Sequence, residues 1–160
     1  EISALLYDIC RDALVSAHPW SFATAQRRLA LLDESPGADF DHAFGLPSDF
    51  LRVLSAGQGD SGRGKGVSYR IREQRIHTNA ETLMLTYVFR PDESAFPAFF
   101  CQALISRLAA EFCLPLTENT SRSEMLGKAA EVEFARARSI DAQQQTPQSI
   151  GSFPLVDVRR

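Results

Sequence analysis

Cysteine is scarce in this chain, and the three present, Cys10, Cys101 and Cys113, form no CxxC pair. A disulfide framework and a thiolate zinc site are therefore not expected. Each cysteine lies in a segment with helical apolar spacing, where a free thiol behaves as a small hydrophobe, and a reducing compartment suits all three. Histidine is equally sparse: His18, His42 and His77 sit in unrelated local settings without an HxxxH or HExxH spacing. No metal and no cofactor are expected on that ground. A basic excess is also missing, because 17 Lys and Arg face 20 Asp and Glu for a formal charge of -3. Autonomous binding of duplex DNA, which draws on phosphate neutralisation, is disfavoured. No window approaches the roughly 18 to 20 consecutive apolar residues of a membrane span. Glu1 opens directly on a helical pattern without a charged and then apolar leader, which reads against secretion.

What remains is a folding chain. Its 160 residues, 44% hydrophobic and 23% charged, suit one globular domain with a sizeable core. Ile2, Leu5, Leu6, Ile9, Cys10 and Ala13 recur at three- and four-residue steps and predict an N-terminal helix closing near His18, before Pro19. Trp20 and Phe22 are expected to enter the core as bulky anchors. Ala23 to Leu32 leans to strand, Asp33 to Asp41 reads as a loop, and Pro47-Ser48-Asp49 offers a turn before a strand over Phe50 to Leu54. Five glycines between Gly57 and Gly66 mark a mobile loop. Alternation at Val67, Tyr69 and Ile71, resumed at Arg75-Ile76-His77, predicts a hairpin turning at Glu73-Gln74. Leu83 to Phe89 reads as a strand buried on both faces.

Phe96 to Leu114 carries helical spacing and defines a central helix that Pro115 is expected to stop, with mainly Gln102, Ser106, Arg107 and Glu111 left for water. Ser121 or Ser123 is the expected cap of a long last helix over Glu124 to Gln143, whose alanines permit close approach of a neighbouring backbone. The fold class predicted is α+β, a bundle of N-terminal, central and last helices with an antiparallel sheet from the middle third. Residues 1–145 form the single domain. Residues 146–160 form a terminal arm with one apolar cluster around Phe153, Leu155 and Val156, expected to be loose alone and to order on a partner.

Candidate chemistry is thin. Gly59-Asp60-Ser61-Gly62-Arg63-Gly64-Lys65 matches seven positions of a phosphate-binding P-loop, but Gly66 stands where Ser or Thr must hold magnesium, and a strand pattern follows where a helix is required. Asp41-His42 is a pairing that general-base work uses, yet no nucleophile motif accompanies it. Arg70, Arg72 and Arg75 lie close in sequence to Arg63 and Lys65 and give a local basic stretch. It reads as a solvated face, a protein interface, or a surface in weak non-specific contact with passing DNA.

Two longer words carry a resemblance. His18-Pro19-Trp20-Ser21-Phe22-Ala23-Thr24 and the run from Phe44-Gly45-Leu46-Pro47-Ser48-Asp49 through Phe50-Leu51-Arg52-Val53-Leu54 resemble the tail tubular protein A family, the head-to-tail adaptors of short-tailed bacteriophages and prophages. The likeness continues through Leu85-Thr86-Tyr87-Val88, the Phe96 to Leu116 helix and Ala135-Arg136-Ala137-Arg138-Ser139-Ile140-Asp141-Ala142. The resemblance implies a virion structural protein and not an enzyme. It implies a ring, dodecameric on assembly, beneath the portal protein, linking it to the tail nozzle or needle and extending the DNA conduit. It places the protein in the virion connector, and in the host cytoplasm before assembly. Such a ring needs a heterologous interface that closes on rotation, for which the Ala-rich last helix is the expected contact. The arm residues Phe153, Leu155 and Val156 become a portal-docking element, and Arg63, Lys65, Arg70 and Arg72 a conduit or interface loop. An intracellular α+β protein-interaction module and a small carboxylate hydrolase are the competing readings.

Overall fold

The computed structural model describes residues 2–58 and 66–145. Helix α1 spans Ile2–Ala17, and a single 3₁₀ turn at Ser21–Ala23 leads into strand β1, Thr24–Arg28. Strands β2, His42–Gly45, β3, Phe50–Gly57, β4, Tyr69–Arg72, β5, Arg75–Thr78, and β6, Met84–Phe89, follow before helices α2, Ala98–Thr117, and α3, Thr120–Ala142. The architecture is α+β, with antiparallel pairing throughout two three-stranded sheets, ordered β1-β6-β3 and β2-β5-β4.

Strand β6 explains how the layers stack. Val88 joins the helical core with Leu14, Val15, Trp20, Phe100, Leu104 and Ala137, whereas Leu85 and Tyr87 point to the other face and join Phe44, Ile76 and Leu83. The first sheet is thus covered by helices on one side and by the second sheet on the other, as its continuous apolar run requires. Trp20 is fully buried, its indole N–H donating to the Leu14 carbonyl at 3.0 Å, with Phe99, Phe100 and Phe134 packed around the ring. The expected anchor is in place, and its one polar atom is satisfied.

The hairpin turns at Glu73-Gln74 with positive φ at both residues, 51° and 60°, which is the twist a two-residue connection between antiparallel strands demands. Three helix expectations are corrected. Pro115 does not stop α2, which continues to Thr117. Proline removes only the N–H that would reach Glu111, and the end is held by Thr117 Oγ1 donating to the Cys113 carbonyl at 2.7 Å and by the left-handed Glu118, whose N–H donates to Leu114 at 3.0 Å. Neither Ser121 nor Ser123 caps α3. Asn119 does, its Oδ1 accepting from the Arg122 N–H at 2.9 Å, so the helix starts four residues early. The α1 stripe is also divided: Cys10 is buried, as are Leu14 and Val15 beyond the predicted stripe, but Leu5, Ile9 and Ala13 stay exposed.

Helix α2 is long and apolar enough in composition to cross a membrane. In the fold its Phe100, Ala103 and Leu104 are buried, and it packs along α3 and against α1. Its water-facing side is more apolar than expected, since Ile105, Leu114 and Leu116 are exposed, Leu116 at 77%.

Candidate functional site

The closest approach to a catalytic constellation is a group the sequence reading did not assemble: His18, Ser21 and Asp141. Pro19 ends α1 and turns the chain so that His18 and Ser21 face the last turn of α3, which delivers Asp141 from far along the sequence. Asp141 is 3% exposed, and its carboxylate accepts from the Ser21 backbone N–H at 3.1 Å and from the Ser21 hydroxyl at 2.6 Å. His18 Nε2 lies 3.5 Å from the other oxygen. Burial lowers the His18 pKa, the Asp141 carboxylate opposes that shift, and Arg138 and Arg52 reinforce it.

The residue types match a Ser-His-Asp set, but the connectivity does not. A nucleophilic serine must give its proton to the imidazole, whereas the Ser21 hydroxyl gives it to the carboxylate. The cluster is a clamp that closes the polar end of α3 onto the α1–β1 junction. No local spacing announces it, since Ser21 and Asp141 stand 120 residues apart in the sequence.

The expected basic surface is only partly basic. Arg70 and Arg72 lie on β4, whose four residues are all exposed. Arg70 pairs with Asp39 at 2.6 Å and Arg75 with Glu34 at 2.9 Å, so the acidic loop after β1 neutralises two of the three arginines. Arg72 has no ion pair among the described residues. Arg63 and Lys65, with the rest of the Gly59–Lys65 stretch, lie outside the described residues, as do Phe153, Leu155 and Val156. Among the described residues no hydrogen bond or ion pair joins Asp41 to His42, and the Asp41 backbone N–H donates to Asn79 Oδ1 at 2.9 Å. His42 lies opposite Thr78 and His77 opposite Ala43 on paired strands, which sends the two imidazoles to opposite faces. Among the described residues no group of three or more His, Cys, Asp or Glu side chains is placed to hold a metal ion.

An apolar concave feature lies between the helices. α1 contributes Ile9 and Ala13, α2 contributes Ala103 and α3 contributes Ala130 and Phe134 to a mostly apolar groove of about 310 Å³, partly open to solvent. Arg107 crosses its rim, bonded to Glu111 at 2.7 Å and lying 3.6 Å from Glu131. Arg107 is shared between the two carboxylates, which leaves one in excess on the rim, and the rest of the groove lining is hydrocarbon. Cys10 lines it as well, with burial pushing its thiol pKa up, away from the reactive thiolate. This geometry suits packing more than chemistry. No family model matches the chain, and no curated protein matches it.

Proposed function

We propose that the protein is a structural component of a phage or prophage virion, a head-to-tail adaptor that joins copies of itself into a ring under the portal and links the portal to the tail nozzle or needle. The observation that carries this reading is the outward apolarity of the helical layer. Leu5 on α1, Ile105, Leu114 and Leu116 on α2, and Met125 and Val132 on α3 are large aliphatic side chains exposed on three helices, with Leu5 at 64%. Exposed side chains of this kind are available for a multi-contact assembly to cover.

Two further features agree with the reading. The words that resemble the adaptor family serve the frame: Ser21 of the first is clamped by Asp141 of the last, and Phe44 and Tyr87 sit together between the sheets. The exposed edge strand β4 with Arg70 and Arg72 offers only modest positive charge, which suits weak, sliding contact with passing DNA better than specific binding. The arm residues Phe153, Leu155 and Val156 are the proposed portal contact.

Mixing the protein with a portal protein from the same phage or prophage genome and imaging by negative stain tests the proposal. A ring of this protein on the narrow end of the portal is the expected result. Two separate populations at micromolar concentrations would reject the adaptor role in favour of an interaction module unrelated to virions.

A further inference from the structure

The groove between α1, α2 and α3 is built as an acceptor, and the chain itself supplies a fitting occupant. Three observations converge on segment 146–160. The first is position. Helix α3 ends at Ala142 beside Ser21, at the end of the groove marked by Ala17 and Phe134, and the Gln144 N–H donates to the Asp141 carbonyl in the turn that leaves the helix. The chain therefore departs from one mouth of the groove.

The second is reach. From Ala142 back to Glu131, near the middle of the groove, is a helical distance of about 17 Å at ~1.5 Å per residue. The same number of residues forward, from Ala142 to Phe153, spans up to about 36 Å when extended. A strand running back over α3 can place Phe153, Leu155 and Val156 on Phe134, Ala13 and Ile9 with length to spare. The third is chemistry. The groove is apolar with one carboxylate in excess on its rim, where Arg107 faces both Glu111 and Glu131. Segment 146–160 has an apolar cluster followed by Asp157, Arg159 and Arg160, one cation in excess.

We infer that, in the free protein, segment 146–160 folds back and seats Phe153, Leu155 and Val156 in the α1–α2–α3 groove of its own chain. This goes beyond the assembly role and stands independently of it. It is an alternative to an arm loose in isolation, since the groove supplies an intramolecular site whose effective concentration is set by a short connection. Any partner that takes the arm must first draw it out of this groove.

Methyl NMR on the full chain labelled at Ile and Ala tests the inference. The spectra are compared with those of a chain ending at Gln145 and of the Phe153→Asp variant. The Ile9 and Ala13 methyl signals are expected to shift in both altered chains, while Ile76, fully buried between the sheets, stays in place and reports an intact fold. The shifts should persist when the full chain is diluted to a sedimenting monomer. Coincident Ile9 and Ala13 signals in all three chains would overturn the inference. So would a difference that vanishes on dilution together with a dimer, because the occupant would then be a second copy. Loss of portal binding with unchanged methyl signals would leave the adaptor role standing and remove this one.

Discussion

Ser21 Oγ donates to Asp141 Oδ1 at 2.6 Å across a separation of 120 residues, and this bond fastens the last helix to the turn that follows the first. The carboxylate is almost fully buried, so its hydrogen bonds from Ser21 and the nearby His18 replace the water it lost. Replacing Asp141 by Ala strands the Ser21 N–H. We expect the variant to lose about 1–3 kcal/mol in urea unfolding, the range for leaving a buried polar partner unsatisfied. Asp141→Asn keeps one acceptor oxygen and should lose less. Equal midpoints for the wild type and Asp141→Ala would show that the clamp contributes nothing.

The same clamp predicts a pH dependence. Burial lowers the His18 pKa below its ordinary value of 6.5, so the unfolded chain binds a proton more readily than the folded one as pH falls. The stability gained from keeping His18 neutral is complete above about 6.5 and is lost as pH drops through that value toward the lower folded pKa. Midpoints of the wild type and of His18→Asn should therefore converge or cross as pH is taken from about 7.5 to about 5. Trp20, whose ring is 4.8 Å from the imidazole, makes the titration visible in fluorescence. A constant difference between the two proteins over that range would contradict the assignment.

The hairpin offers a stabilising substitution. Glu73 and Gln74 both sit in the left-handed region that L-residues enter at a cost and glycine enters freely. Gln74→Gly should raise stability by about 0.5–1 kcal/mol, the gain from relieved strain exceeding the entropy that glycine adds to the unfolded chain. A higher melting temperature checks it. Gln74→Val, β-branched at the same φ, should lower it.

These residues also show what the sequence made legible. The hairpin, the buried strand Leu83 to Phe89 and the Trp20 anchor were readable because alternation, turn position and bulk are local properties. The Ser21–Asp141 clamp was not, since no local pattern announces a bond between the two ends of a domain. Pro115 misled because proline is tolerated where a helix is about to end and only one N–H is missing. Ser121 and Ser123 hid Asn119 for a related reason: four residues able to cap, Asn119, Thr120, Ser121 and Ser123, lay within one turn and a half, and only backbone geometry selects among them. Of the candidate site, Arg70 and Arg72 lie on an exposed strand, but the pairing of Arg70 with Asp39, and of nearby Arg75 with Glu34, on a distant loop was not readable from charge order.

The alanines of α3 separate fold from assembly. Ala130 and Ala137, seven residues apart, are buried, whereas Ala129 and Ala135 face outward. Under the proposed ring, a contact through the Ala-rich helix would fall to the outward pair, because the inward pair already serves the domain's own core. Ala137→Leu forces extra methylenes into a filled layer and should cost about 1–3 kcal/mol of monomer stability. Ala135→Glu is expected to leave the monomer within about 0.5 kcal/mol of wild type, as surface substitutions usually do. It should reduce ring formation on the portal, since a buried, unpaired carboxylate at a subunit contact is strongly disfavoured. Sedimentation velocity of each variant alone, followed by imaging with the portal, separates the two effects. An Ala135→Glu protein that forms rings as readily as wild type would remove α3 from the subunit contact and turn attention to the exposed flank of α2.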